Sequence, residues 1–342
     1  MRKLTVSVVI LVLFAAFAGT PLVFGKKVAT FDKLVNPFFI EADENQLYIT
    51  DGPTINIFSL KDFNLVKQFG KAGDGVKEFK VNPRRSGGSV LISVEPDYIM
   101  VNSIQKISYF TKDGKFIKEV PVTKPARRLL PLGNRLIGEV TFPEDKTFYV
   151  TRVILDSNFK IESELYRRRS FFQREGDINP FHSINPITQL SNKRIFINGD
   201  NEIYVFDRRS KILPSITWQY DKIKITEEHK KNIRNWYRTY PGLKHLYDRI
   251  KDRLKFPAHF PAIRLYNVAD KRIYVLSHKK EGGKSEFIIM DLAGKLIKKT
   301  LLPFYEKDDF LWFPYTIKNG NLYQLVKNKD KSLWELQVTP IE

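Results

Sequence analysis

The sequence contains no cysteine. That single absence excludes disulfide frameworks, thiolate metal sites, iron–sulfur clusters, cysteine nucleophiles and thiol-linked lipid anchors. Glycine and proline are sparse, 18 of each among 342 residues, whereas 42% of the chain is apolar and 13% aromatic. A disordered chain has neither so few breakers nor so much to bury, so a packed core is expected. Acidic side chains are the scarce charge: 38 Asp and Glu face 57 Lys and Arg, for a net charge of +19. Such a balance suits anionic partners. HExxH, GxSxG, P-loop and GxGxxG patterns are missing, and the five histidines (His182, His229, His245, His259 and His278) include no HxH pair. No cofactor, metal site or catalytic residue is indicated.

Long apolar runs are also missing after residue 25, so no membrane span is expected in the mature chain. The one such run is N-terminal. Arg2 and Lys3 precede an uncharged stretch, Leu4 to Gly25, with Pro21 ahead of small residues. This is the pattern of a secretory signal peptide, residues 1–25, cut after Gly25 or Ala18; the competing reading is an uncleaved anchor. Residues 26–342 are then an exported domain, periplasmic or extracellular.

Within that domain, blocks recur. QLYITDGPTINIFSLKDFNLVKQFG (Gln46 to Gly70), DYIMVNSIQKISYFTKDGKFIKEV (Asp97 to Val120), RIFINGDNEIYVFDRRSKILPSI (Arg194 to Ile216) and RIYVLSHKKEGGKSEFIIMDLAGKLIKK (Arg272 to Lys299) each hold three alternating β-type runs joined by polar turns. A fourth run precedes each block, as in Phe38 to Ala42, Ile187 to Leu190 and Ile263 to Val268. Degenerate copies occupy Leu129 to Tyr166 and Phe313 to Val338. Period-two alternation with short turns describes a four-strand antiparallel meander, and Asp113-Gly114 and Asn319-Gly320 supply the positive φ of tight hairpins. A lone meander cannot bury both faces. Six of them pack face to face and close into a ring, a six-bladed, all-β propeller. The last copy supplies three strands, so Val28 to Leu34 is expected to close its blade.

The first copy, LYITDGPTINIFSL (Leu47 to Leu60) followed by VKQFGKAGDGVKEF (Val66 to Phe79), resembles the six-bladed β-propeller family with NHL-type repeats. The resemblance implies a scaffold that hosts both binding modules and enzymes.

Between blades 4 and 5 the period breaks from Asp221 to Phe260. Thr226 reads as an N-cap, Glu227 and Glu228 suit a first turn, and Ile233, Trp236, Tyr237 and Tyr240 form a helical stripe. Pro241-Gly242 breaks it, and Leu243, Leu246, Tyr247, Ile250 and Leu254 stripe a second helix. The hairpin is read either as a packed cover or as a lid or partner dock.

Arginines cluster in the expected blade-to-blade loops: Arg84 and Arg85, Arg127 and Arg128, and Arg167, Arg168, Arg169 and Arg174, with Tyr166, Phe171 and Phe172 beside them. Guanidinium forks match carboxylate, sulfate or phosphate, and neighbouring rings can stack on sugars. This basic rim suits an anionic glycan, a surface polymer or a protein partner, and no specific nucleic-acid motif is present. The competing reading is a merely solvated basic face. Glu41, Asp51, Glu139 and Asp200 are candidate channel carboxylates for Ca²⁺. The sequence thus points to an exported, monomeric, non-enzymatic binding module. The alternatives are a propeller hydrolase or lyase with a metal-assisted site in the channel, and a structural subunit of a surface or secretion assembly.

Overall fold

The structure is a computed structural model that describes residues 25–82, 88–123, 126–145, 147–170, 175–181, 187–240, 243–307, 311–328 and 330–341. The strand β1 (Lys26–Phe31) precedes blade 1, which is built from β2 (Pro37–Ala42), β3 (Gln46–Asp51), β4 (Thr54–Ser59) and β5 (Leu65–Phe69). A two-residue parallel pair, β6 (Lys71–Ala72) and β7 (Glu78–Phe79), follows. Blade 2 is β8 (Leu91–Val94), β9 (Tyr98–Ser103), β10 (Lys106–Thr111) and β11 (Phe116–Pro121). Blade 3 has longer strands: β12 (Arg127–Leu132), β13 (Arg135–Glu144), β14 (Thr147–Leu155) and β15 (Ile161–Arg169).

Blade 4 is β16 (Thr188–Ser191), β17 (Arg194–Asn198), β18 (Ile203–Asp207) and β19 (Ile212–Ile216). Blade 5 is β20 (Leu265–Ala269), β21 (Arg272–Glu281), β22 (Lys284–Asp291) and β23 (Leu296–Leu302). Blade 6 takes β24 (Tyr315–Lys318), β25 (Asn321–Asn328) and β26 (Leu333–Pro340), and β1 completes it by pairing antiparallel with β26, Lys26 opposite Val338 and Phe31 opposite Trp334. The expected closure of the last blade by the N-terminal strand is therefore observed.

Each blade is apolar on both faces because both are covered. Tyr48, Ile55 and Ile57 of blade 1 pack against Ile92, Ile99 and Val101 of blade 2, while Leu47, Ile49 and Phe58 turn towards Leu325, Trp334 and Leu336 of blade 6. Alternating side chains thus fill two different inter-blade cores. The six innermost strands run in the same direction around a central channel. One mouth collects the blade-to-blade connections and the other the first hairpin of each blade.

The glycine that ends the first blade shows how tightly the turns are set. Gly70 has φ +86°, and a Cβ there would meet the Pro53 carbonyl oxygen at 2.5 Å and the Phe79 ring at 2.6 Å. Gly70→Ala is expected to cost about 2 kcal/mol or more, from the left-handed backbone together with the overlap. Urea denaturation gives that value directly, and an unchanged midpoint would refute it. The following GKAGDG loop is internally satisfied, since the Glu78 carboxylate accepts from the Gly75 N–H at 3.0 Å and pairs with Lys71 at 2.9 Å.

The insertion lies on the mouth that carries the blade-to-blade loops. Its helix α1 (Glu227–Thr239) starts at Thr226, whose hydroxyl accepts from the His229 N–H while the His229 ring accepts from the Thr226 N–H. The expected second helix is instead a broken run: a 3-10 turn at Lys244–Leu246, the single α-turn α2 (Tyr247–Ile250), and another 3-10 turn at Lys251–Arg253. Its apolar stripe still does what the pattern implied. Leu243, Ile250 and Leu254 join Ile233, Tyr237 and Ile178 in a small core of their own. Ile178 comes from the connection between blades 3 and 4, and its backbone bonds Arg253 and Lys255 at 2.8 and 2.9 Å. No helix among the described residues is long and apolar enough to cross a membrane.

Candidate functional site

The channel is a cavity of about 1690 Å³ lined by the innermost strands and by parts of the connections that crown them. Its two ends differ in charge. At the hairpin end, Lys112, Lys193, Arg194, Arg208 and Lys318 are mixed with Glu41, Asp43, Glu44, Glu95 and Asp270: Lys112 pairs with Asp43 at 2.6 Å, and Lys318 pairs with Glu44 at 2.7 Å and Asp270 at 3.9 Å. At the other mouth the charged lining among the described residues is Arg128, Arg152 and Lys307. That end is basic.

The basic mouth is built on blade 3. Arg127, Glu139, Arg152 and Tyr166 stand side by side across β12, β13, β14 and β15, on the face turned to blade 4. Glu139 and Arg152 are 3.1 Å apart and both 3% exposed, and Arg127 reaches the same carboxylate at 3.4 Å. Burial lowers the pKa of Arg152 to about 10; Glu139 opposes that shift, whereas the like charges of Arg128 and Arg127 add to it. Two guanidiniums therefore share one carboxylate, with Arg128 near enough to act on Arg152.

Arg128 owes its position to a bulge. The β12–β13 register slips between Arg127 and Leu130, and Arg128 takes φ +51°. Among the described residues it is the one non-glycine with positive φ that lies inside a strand; the others occupy turns and loops. Asn102 of blade 2 pins the distortion, accepting from the Leu129 N–H and donating to the Leu129 carbonyl, both at 3.0 Å. Other blades fix the chain that leads into the inner strand likewise. Asp51 accepts from the Val35 and Asn36 N–H groups at 2.7 Å, Asn198 from Ile187 at 2.6 Å, and Gln324 from Tyr305 at 2.9 Å.

The remaining rim residues are placed differently from the sequence reading. Arg127, Arg128, Arg167, Arg168 and Arg169 belong to strands rather than loops, because the blade 3 strands run on past the lengths that the other copies suggest. Arg167 pairs with Glu144 at 2.5 Å and lies over the Tyr149 ring, and Arg168 sits 4.0 Å from Asp200. Arg169 is exposed. Tyr166 packs on Tyr204 of blade 4, with ring centroids 4.9 Å apart. Of the expected cluster, the structure brings Arg128 to the channel lining with Arg127 next to it against Glu139, and leaves Arg167 and Arg169 on the flank of blade 3. Arg84, Arg85, Phe171, Phe172, Arg174 and His182 lie outside the described residues.

Sequence reasoning missed Arg152, Asn102 and Trp312. An arginine inside the otherwise apolar run TFYVTRVIL was the available signal for the first. Of the candidate Ca²⁺ carboxylates, Asp51 caps backbone, Glu139 and Asp200 face arginines, and Glu41 lines the channel. Among the described residues no group of three or more acidic or histidine side chains is placed to hold a metal ion.

Two half-buried groups are shifted in opposite senses. Burial, then the Glu95 carboxylate, pushes Glu41 up to about 8. Burial, then Arg264 and Lys280, lowers His278 to about 3, where its ring stacks on Phe260 at 4.3 Å. Folded Glu41 holds a proton that the unfolded chain releases above 4.5, so its contribution is lost as pH rises through about 8. Folded His278 refuses a proton that the unfolded chain takes up below 6.5, so stability falls as pH drops from there towards about 3. Melting temperatures across this range are expected to show Glu41→Gln flattening the alkaline limb and His278→Gln the acid limb. Unaltered slopes in the variants would assign the titration to other groups.

No protein-family model matches the chain, and no curated protein matches it in sequence. Among solved structures it is similar to BamB from Moraxella catarrhalis (9% identity, TM-score 0.30, covering 88% of this chain and 71% of that one). It is also similar to Kluyveromyces lactis Hsv2 (10% identity, TM-score 0.40, covering 90% and 99%). Neither likeness bears on function.

Proposed function

We propose that this propeller is an exported binding module that takes an anionic partner at the basic mouth of its channel. The observation that carries the reading is Arg128, held in left-handed backbone inside a strand, beside a buried arginine that already shares its counter-ion. Strain of this kind costs about 1–2 kcal/mol and persists where the surroundings enforce it, which is a mark of functional positions. Export rests on the basic, apolar and Pro-terminated leader at residues 1–25.

Retention on an immobilised polyanion tests this reading. The double variant Arg127→Gln/Arg128→Gly removes two mouth charges, and glycine suits the backbone at 128. It is expected to elute at much lower salt than Lys67→Gln/Lys211→Gln, which removes the same charge from strand β5 and from the turn before β19. Equal shifts in the two variants would mean that total charge alone governs retention.

A second reading, a hydrolase or lyase, is favoured by one feature: Glu41 is protonated at neutral pH in the channel while Asp43 nearby stays ionised. Burial acts to raise Asp43, but Lys112, Tyr48 and two backbone N–H groups outweigh it and lower its pKa. Turnover abolished by Glu41→Gln would establish that reading over simple binding.

A further inference from the structure

We infer, building on the anion site just proposed, that the ligand class is an acidic saccharide, its carboxylate on the Arg128 and Arg152 side of the mouth and its sugar rings against Tyr240 and Trp312. Both rings line the channel mouth and both stay open to solvent, Tyr240 at 37% and Trp312 at 36% exposure. Tyr240 is backed by a second ring, and Trp312 is fixed at its backbone. Tyr240 stacks on Trp236 at 5.0 Å and 22°, and its N–H donates to the Trp236 carbonyl at 2.8 Å as the end of α1. Trp312 forms a bridge with Glu306, whose carboxylate is anchored by Arg264 and by Lys280 at 2.7 Å.

Three further observations narrow the class. The cavity, at about 1690 Å³, exceeds the roughly 300–1,000 Å³ of a typical small-molecule pocket, so a single phosphate or sulfate would leave most of it to water. A ligand of several linked rings fits that volume. At this mouth Arg128 and Arg152 stand together on blade 3 and Lys307 stands apart on the connection between blades 5 and 6, an arrangement that matches one carboxylate near one end of a ligand; a nucleic acid needs cations spaced along its backbone. Exposed aromatic faces offer a sugar ring's C–H face an apolar platform, while guanidinium forks take its planar carboxylate in bidentate fashion.

Calorimetric titration of the full chain at fixed ionic strength provides the test, with a galacturonic acid tetrasaccharide, its neutral galactose counterpart, inorganic phosphate and a single-stranded oligonucleotide as probes. The acidic saccharide is expected to bind at least about tenfold more tightly than the neutral one, the worth of a charge-assisted contact. Arg128→Gly should close that gap. Tyr240→Ala and Trp312→Ala should weaken both saccharides, and Trp312→Phe should restore binding. Absence of acidic saccharide binding, equal binding of the neutral one, indifference to both alanine variants, or preference for the oligonucleotide each overturns the inference. Polyanion retention that still depends on Arg128 in those cases leaves the anion site standing; retention indifferent to Arg128 removes that reading separately.

Discussion

Glu139→Gln is expected to lower stability by about 3–5 kcal/mol, because it strands the buried Arg152 guanidinium without its counter-charge. The two side chains are 3.1 Å apart and almost wholly out of water, so breaking the pair costs far more than losing a surface ion pair. The double variant Glu139→Gln/Arg152→Met should recover most of the loss, since neither charge then has to be desolvated. Urea unfolding of the four members of this cycle measures the coupling. A double variant no more stable than Glu139→Gln alone would show that the carboxylate acts through the strand and not through Arg152.

Deleting residues 26–34 is expected to remove the cooperative fold altogether. The deletion takes Phe31 and Leu34 out of the core that also holds Phe58, Phe313 and Trp334, and it leaves the eight-residue β26 as a bare edge. Full burial of the two side chains alone is worth about 3–6 kcal/mol, a large part of a domain's net stability. An unpaired apolar edge also recruits other chains. Light scattering and thermal melting should report association and loss of the cooperative transition. Appending KKVATF after Pro340 through a short turn should restore both, because Lys26 already lies opposite Val338. A truncated chain that melts as a monomer at the original temperature would show that the ring does not depend on this closure.

Much of this architecture was legible in the sequence because blade strands declare themselves locally. Phe38 to Ala42, Asp113-Gly114 and Asn319-Gly320 carry alternation and turn chemistry within a few residues, and they fall in β2 and in two hairpin turns with positive φ. The mouth was legible only in part. Arg127 and Arg128 were visible as a pair, but the bulge that turns Arg128 inward depends on Asn102, 27 residues upstream of the Leu129 it holds and on another blade. Arg152 was hidden for a similar reason: its meaning comes from Glu139, its partner across the β13–β14 ladder. Tyr240 belongs by spacing to the buried stripe of α1, and only the position of the insertion over the channel leaves its ring exposed. The second helical stripe was read correctly as apolar and wrongly as continuous, because stripe spacing does not reveal how tightly each turn is wound.

The pairing of β1 with β26 also sets an order of events. Strand β1 has to wait for β26 before it gains its partner, a separation of 308 positions between Lys27 and Glu335. Five blades can assemble from neighbouring segments as they emerge, whereas the sixth is a long-range closure that pays its loop entropy last. Until β26 has emerged, the nascent disc is an open arc with β1 unpaired at its leading end.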